Sequence, residues 1–230
     1  MPRAILSVCL PLVLSAFSVV HAQTSSPKNP IVLRVLAEVV PEDLGPVYLS
    51  SPDGETRTPE FDLPANNVSE PIPVTGRALV LKAKNKDLKL CAFALPDAGR
   101  AFAVIFTPAK PSGYKADVVR TDDPTFKRGD VFFLNRTEQT ILGKLGTKPL
   151  VLDPGKSAIT RPDGATEGAY YDVAFAARAE GKDRILSTVR WPVDEQIRSY
   201  IFFIQDANGR VTYRAVDEFV PPDKAGAAKP

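Results

Sequence analysis

Short segments in which apolar residues recur at every second position run through most of this chain, and Pro, Gly, Asn or Asp bounds almost every one of them. Side chains alternate between the two faces of a β-strand, so this period indicates strands rather than helices. The residues between the segments, such as Pro52–Gly54 and Asp206–Gly209, favour tight reversals of the chain. The sequence therefore predicts an all-β protein.

The predicted strands follow one another from residue 31 to residue 217. They are Ile31–Val40, Pro46–Ser50, Arg77–Lys84, Leu88–Leu95, Ala101–Thr107, Tyr114–Arg120, Asp130–Asn135, Thr140–Lys144, Pro149–Leu152, Ser157–Arg161, Tyr170–Ala177, Arg184–Trp191, Ser199–Gln205 and Arg210–Asp217. Ala101–Thr107, Asp130–Asn135 and Ser199–Gln205 are apolar on both faces. Because a two-sheet sandwich buries only one face of each sheet, these strands predict a second covering layer, which a neighbouring domain is expected to supply.

The second half of the chain repeats the strand and turn pattern of the first half. The matched segments are Ile31–Glu38 with Asp130–Thr137, Phe61–Asn66 with Val151–Lys156, Ala78–Lys84 with Asp172–Arg178, and Phe102–Phe106 with Tyr200–Ile204. We therefore predict two tandem Ig-like antiparallel β-sandwich domains, at 30–121 and 128–219, that arose by internal duplication. Their linker, Thr121–Thr125, has room for a single helical turn. Residues 220–230 are rich in Pro, Ala, Lys and Gly and are predicted to be a disordered tail.

Residues 1–22 are typical of a secretory signal peptide. Arg3 supplies a positive charge, Ala4–Val20 is apolar, and Val20 and Ala22 are small residues at the −3 and −1 positions of a cleavage site. We expect cleavage between Ala22 and Gln23 and a secreted or periplasmic product. The apolar run is shorter than the roughly 20 residues of a membrane-spanning helix, so no transmembrane segment is expected after signal removal. Acylation of Cys9 is the disfavoured alternative, because Val8 precedes it where a small residue is expected.

Removal of this segment eliminates most of the usual catalytic and metal-binding chemistry. The only histidine of the chain, His21, is lost, and Cys91 remains as a single thiol that is predicted to be buried within a strand. We therefore expect no catalytic residues, no metal site and no cofactor.

Neighbouring carboxylates are the remaining candidates for hydrolytic chemistry. The pairs are Asp122–Asp123, Asp194–Glu195 and Asp217–Glu218. Each pair is predicted to lie in a surface loop or at a strand end. Asp122, Asp123, Asp194 and Glu195 are expected to be exposed, with little pKa shift.

The balance of charge and the positions of the aromatic residues indicate which class of partner the protein binds. Lys and Arg number 29 and Asp and Glu number 27, so no excess of positive charge favours nucleic acid. Tyr170, Tyr48 and Tyr114 are candidate ligand-binding residues, because tyrosines near strand ends form platforms for glycans or peptides. Tyr170 is the best candidate for exposure. Trp191 is in line with Ile185 and Val189 at period two and is predicted to pack in the core.

One part of the chain resembles a group of bacterial proteins. Gly129–Asn135, Ile141–Gly146 and Leu152–Ser157 are similar to segments of uncharacterised secreted β-sandwich proteins of verrucomicrobial and planctomycete bacteria. The similarity covers mainly residues 100–217. The resemblance implies export and a β-sandwich fold, and it implies no activity.

The sequence thus favours an exported, non-enzymatic β-sandwich protein that binds or scaffolds at the cell envelope. The expected partner is an envelope protein or a glycan. One alternative is a histidine-free polysaccharide hydrolase that uses two carboxylates held about 5 to 10 Å apart in a cleft. The other is a structural subunit of a surface assembly, which a large exposed apolar patch would favour.

Overall fold

The computed structural model describes residues 30–163, 169–206 and 208–221. The predicted signal peptide and residues 222–230 of the predicted tail lie outside the described residues. The described chain is all-β. Its strands are β1 (Ile31–Ala37), β2 (Val47–Ser50), β3 (Ile72–Val74), β4 (Ala78–Ala83), β5 (Leu88–Ala94), β6 (Ala101–Pro108), β7 (Tyr114–Arg120), β8 (Val131–Asn135), β9 (Thr140–Leu145), β10 (Lys148–Leu152), β11 (Ser157–Thr160), β12 (Tyr170–Ala179), β13 (Lys182–Pro192), β14 (Ile197–Gln205) and β15 (Val211–Phe219).

The sequence missed one strand and misplaced the helical turn. Strand β3 has only three residues, with Pro73 at its centre, so it is too short to show an alternating pattern. The linker near Thr125 forms turns, and the helical turn expected there is wrong. The amide of Thr125 donates instead to the Asp123 side chain at 2.8 Å. The short 3₁₀ helix of the described chain lies at Asn85–Asp87, between β4 and β5. Within the described ranges, no helix has the length and apolar character needed to span a membrane.

The strands form four sheets that are mostly antiparallel. Sheet 1 has the order β2-β4-β5, and sheet 2 has the order β3-β1-β6-β7. Sheet 3 has the order β11-β8-β14-β15, and sheet 4 has the order β10-β9-β12-β13. The parallel pairs are β1 with β6 and β8 with β14.

Three apolar clusters lie between these sheets and place them in four layers. The first cluster joins sheets 1 and 2 through residues such as Leu81 and Val104. The second joins sheets 3 and 4 through residues such as Phe175 and Phe203. The third joins sheets 2 and 3 and includes Ile105. Strands that are apolar on both faces are therefore covered on both faces, as their sequence predicts.

The two halves of the chain place their strands in corresponding orders. Strands β3-β1-β6-β7 of sheet 2 correspond to β11-β8-β14-β15 of sheet 3, and each set contains one parallel pair. Strands β2-β4-β5 of sheet 1 correspond to β9-β12-β13 of sheet 4. Strand β10 is additional in sheet 4. In the first half, two isolated bridges to β2, Val47 with Phe61 and Ser50 with Arg57, occupy the corresponding place.

Polar side chains join sheets 2 and 3 at one end of the central layer. Arg136, which follows β8, pairs with Asp117 of β7. Arg214 of β15 donates to the carbonyl oxygens of Glu38 and Ala65. Burial raises the pKa of the Glu38 carboxyl, although the nearby Arg214 and Arg136 act in the opposite direction. Charged groups thus cross between the halves where the apolar cluster ends.

A second polar group lies in the same layer and corrects a prediction from the sequence. Asp217–Glu218 was predicted to be a surface pair, but both residues lie within β15 and Glu218 is only 5% exposed. Its carboxylate contacts Arg34 at 3.3 Å and Arg198 at 3.2 Å. It also accepts a hydrogen bond of 2.6 Å from the hydroxyl of Tyr200. Adjacent residues of a strand point to opposite faces, so Asp217 faces the other side of sheet 3.

Candidate functional site

The sandwich of sheets 3 and 4 is open along one side. Strands β13 and β15 are the edge strands of these sheets on that side, and a cleft of about 270 Å³ lies next to them. This opening is the edge cleft. Its walls include Trp191 and Pro192 of β13 and Ala215 and Asp217 of β15.

The corresponding side of the first half is closed. Strands β5 and β7 are the edge strands of sheets 1 and 2, and they pack against each other. Gly113, immediately before β7, lies so close to β5 that a β-carbon there would be 2.3 Å from the Leu90 carbonyl oxygen. Leu90 and Ala116 pack on the first apolar cluster at this closure. The two sandwiches therefore differ at their edges, although their strand orders correspond.

Contacts between β13 and β15 define where the cleft begins. The hydroxyls of Ser187 and Tyr213 are 3.1 Å apart and form a hydrogen bond. The Arg184 side chain donates to the Val211 carbonyl oxygen at 3.3 Å. The cleft residues Trp191 and Asp217 lie beyond these bridges on their strands. The bridges hold the two strands together at one end and leave the other end open.

The floor of the edge cleft is apolar and aromatic. Ile201 and Val131, which are buried residues of sheet 3, contribute to it. Trp191 packs edge-on against Tyr171, with ring centroids 6.2 Å apart, and against Phe175 at 5.8 Å. These contacts hold the indole in one orientation beside the cleft. Trp191 thus packs on the core, as predicted, and also lines the opening.

Two exposed carboxylates lie at the rim of the edge cleft. Asp217 accepts a hydrogen bond of 2.6 Å from Ser199, and Asp194 accepts one of 2.7 Å from the Gln196 amide. Neither is in an ion pair with a cation among the residues that the structure describes. Asp130, which also lines the cleft, pairs with Arg161 at 2.8 Å. The rim therefore carries uncompensated negative charge.

Tyr171 is a partly buried phenol beside this rim. Burial and the negative charge of Asp217 raise the pKa of Tyr171 to about 12. Its phenol, which is neutral at physiological pH in any case, thus stays protonated to still higher pH and is available as a hydrogen-bond donor. Tyr171 lines a smaller cavity of about 50 Å³, together with Arg161, Asp194 and Glu195. Asp194 lines both cavities, so they are adjacent.

The predicted tyrosines do not come together. Tyr170 is 69% exposed, but it pairs with Pro192 and points away from Tyr171 and the sandwich interior. Tyr48 is buried in sheet 1, where its hydroxyl donates to Asp87. Tyr114 is also buried and donates to the Val39 carbonyl oxygen at 2.9 Å. Tyr48 and Tyr114 thus make internal contacts instead of forming an exposed platform.

The predicted carboxylates are also separated. Asp122 and Asp123 lie in the linker, whereas Asp194 and Glu195 lie between β13 and β14. Burial acts to raise the pKa of Asp122, but hydrogen bonds from Arg120 and the Arg100 amide outweigh it and hold the pKa below its usual value. Hydrogen bonds from Thr125 lower the pKa of Asp123. The prediction of little pKa shift is therefore wrong for Asp122 and Asp123.

The remaining thiol and possible metal ligands provide no alternative site. Cys91 is buried, as predicted, and burial raises the pKa of its thiol. A raised pKa keeps the sulfur protonated and unreactive. The described part of the chain contains no group of three or more side chains placed to hold a metal ion.

Sequence reasoning missed the edge cleft, although β15 contains a signal for it. Val211, Tyr213, Ala215 and Asp217 occupy the face of β15 that points toward sheet 4. Along the strand, the side chains on this face change from apolar at Val211 and Tyr213 to small at Ala215 and charged at Asp217. A carboxylate at an inward-facing position indicates that the sandwich opens to solvent there.

Comparisons with known proteins add no information on function to the geometry of the edge cleft. No protein-family model matches the chain, and no curated protein matches it.

Proposed function

We propose that this chain is an exported, non-enzymatic binding protein of the cell envelope and that the edge cleft is its ligand site. The observation that carries the proposal is the opening between β13 and β15, at the place where β5 and β7 close the other sandwich. An opening that leaves an aromatic side chain and apolar floor accessible is typical of a binding site.

The chemistry of the rim favours binding over hydrolysis. A glycoside hydrolase needs one carboxyl group that stays protonated at neutral pH, which usually requires burial in an apolar environment. Asp194 and Asp217 are both exposed. Asp194 accepts a hydrogen bond from the Gln196 amide, and Asp217 accepts one from the Ser199 hydroxyl. These features suit the attraction of a ligand better than proton donation to one.

The single tryptophan makes the proposal directly testable. The chain has one Trp, Trp191, so tryptophan fluorescence excited selectively over the tyrosines reports on the edge cleft. We expect a saturable change in Trp191 emission with at least one member of a panel of envelope oligosaccharides and extended peptides. Ala215→Leu fills the cleft and should weaken that binding at least tenfold, or by about 1.4 kcal/mol.

Ala174→Leu is the matched control, because Ala174 lies on β12 outside the edge cleft. It adds the same side chain and should leave the affinity unchanged. Equal affinities of the Ala215→Leu and Ala174→Leu variants for the best ligand, or no change in emission with any compound, would contradict the proposed site.

Export is the second part of the proposal. The charge of Arg3, the apolar run Ala4–Val20 and the small residues before Gln23 support it. Intact-mass measurement of the protein recovered from its producing cell should give a chain that begins near Gln23. A product that retains Met1, or one with a lipid on Cys9, would contradict this expectation.

We also propose that the two sandwiches are Ig-like domains, at 30–121 and 128–219, related by duplication. The corresponding strand orders of sheets 2 and 3 and of sheets 1 and 4 support this origin. The matched parallel pairs β1–β6 and β8–β14 support it further, because parallel pairs are uncommon in sandwiches built from hairpins. Duplication would have provided a second edge that was free to open.

A further inference from the structure

We propose that the edge cleft binds an extended polypeptide segment that pairs with the open edge of β13 and places a Lys or Arg side chain between Asp194 and Asp217. The inference rests on the proposed function and names the class of ligand for that site.

The backbone beside the cleft supports strand addition. In the described chain, β13 pairs only with β12, and β15 pairs only with β14. Each therefore has a row of backbone amide and carbonyl groups without a strand partner on the side of the opening. An extended peptide satisfies such groups by adding a strand to the sheet, whereas a glycan has no matching repeat of donors and acceptors.

A bulge in β13 limits where this pairing can occur. The register with β12 shifts where Phe175 pairs with Ser187 and Ala176 pairs with Ile185. Bulges twist an edge strand and disfavour pairing beyond them. From Thr188 to Trp191 the register is regular, and this segment leads into the cleft, which Trp191 lines. The geometry therefore leaves a short, regular edge beside the opening.

Charge and size identify the side chain that the cleft accepts. Asp194 and Asp217 are exposed and are not ion-paired with any described cation, so they favour a cationic group. The apolar floor at Ile201 suits the aliphatic stem of Lys or Arg. The cleft volume of about 270 Å³ is slightly below the range of roughly 300–1,000 Å³ that is usual for small-molecule sites. One or two side chains fit this volume, and the backbone ladder supplies the remaining contacts.

Selection from a displayed library of random decapeptides tests the inference with the intact exported chain. Binders are selected on the wild-type chain after removal of those that also bind the Ala215→Leu variant. We expect enriched peptides with alternating apolar residues and a central Lys or Arg. Replacing that cation with Glu should weaken binding at least tenfold, and N-methylation of the backbone on the pairing side should abolish it.

Variants of the chain separate the charge effect from a general loss of structure. Asp217→Asn should weaken binding of the Lys peptide about tenfold and reduce the preference for Lys over Glu, since the Asp194 carboxylate remains. Asp153→Asn changes another exposed aspartate of the same half, between β10 and β11 and outside the cleft, and should have no effect. Amide signals of Thr188 and Val189 should shift on binding, and the one of the two whose N–H points away from β12 should become protected from hydrogen exchange.

The outcomes distinguish this inference from the proposed function. Saturable binding of an envelope oligosaccharide at Trp191 without enrichment of any peptide would overturn the inference and leave the proposed function intact. Enriched peptides without a cation, or full binding after N-methylation, would also overturn it. The absence of both oligosaccharide and peptide binding would contradict the inference and the proposed function together.

Discussion

Replacing Phe203 with Ala is expected to lower the free energy of unfolding by about 3–5 kcal/mol, the usual cost of removing a fully buried aromatic ring. Phe203 has no exposed surface and lies in the cluster between sheets 3 and 4. Its ring centroid is 5.1 Å from that of Phe175 and 6.3 Å from that of Phe133. Strands β8, β12 and β14 supply these rings, so none of them can refill the space without moving a strand.

Urea unfolding of the wild type and of two variants measures this effect. Phe219→Ala is the matched control, because Phe219 lies on the adjacent strand β15 and is 60% exposed. It should cost less than about 1 kcal/mol. Similar losses in the two variants would show that the Phe203 ring is not part of a tightly packed core.

The positions of most strands could be predicted from the sequence because local chemistry determines them. Tyr114–Arg120 was predicted with the bounds that β7 has in the structure. Its alternating side chains and the preceding Gly113 turn are both local signals. Strand β3 was not predicted because its three residues around Pro73 give no periodic signal. Its place in sheet 2 depends on pairing with β1, which is distant in sequence.

The alignment between the halves could not be predicted to the residue. The sequence pattern matched Phe102 with Tyr200. In the structure, Phe102 lies in the cluster between sheets 1 and 2, whereas Tyr200 lies in the cluster between sheets 2 and 3. A shift of one residue moves every side chain of a strand to the other face. Because β6 and β14 are apolar on both faces, such a shift leaves the pattern of polarity unchanged.

The bulge in β13 also changes which face of the strand a residue occupies, and this affected the prediction of the site. Period two placed Ile185 on the same face as Trp191, but Ile185 is 75% exposed because the register shifts between them. The opening of the edge cleft depends on how β13 and β15 diverge beyond Ser187 and Tyr213. These two strands belong to different sheets, so local sequence patterns do not fix their separation.

Burial of Glu218 was missed for a related reason. The predicted strand Arg210–Asp217 ends just before Glu218, so the pair was assigned to a strand end at the surface. In the structure, Arg34 of β1 and Arg198 of β14 approach Glu218 from distant parts of the sequence and supply its partners. Burial and the negative charge of Glu218 raise the pKa of Tyr200 far above its usual value, so its hydroxyl remains a donor to the carboxylate. The group acts as a polar contact between the two halves.

Replacing Arg198 with Ala is therefore expected to destabilise the protein by about 3 kcal/mol. Removing one partner of a buried ion pair usually costs 3–5 kcal/mol, roughly, because the other charge stays buried and less well compensated. The lower end of this range applies to Arg198 because Arg34 and Tyr200 still contact Glu218 in the variant. The variant also loses the hydrogen bond from Arg198 to the Thr121 carbonyl, at 2.6 Å, and its contact with the Phe126 ring, 5.0 Å from the centroid.

Urea unfolding of three variants tests this role of Arg198. Arg178→Ala removes an exposed pair with Asp183 and should cost less than about 1 kcal/mol. The double variant Arg198→Leu with Glu218→Leu removes both charges and should recover part of the loss, because well-packed apolar residues can replace a buried ion pair. If Arg198→Ala costs no more than Arg178→Ala, Glu218 must reach solvent when its partner is removed, and the central layer is not a closed contact between the halves.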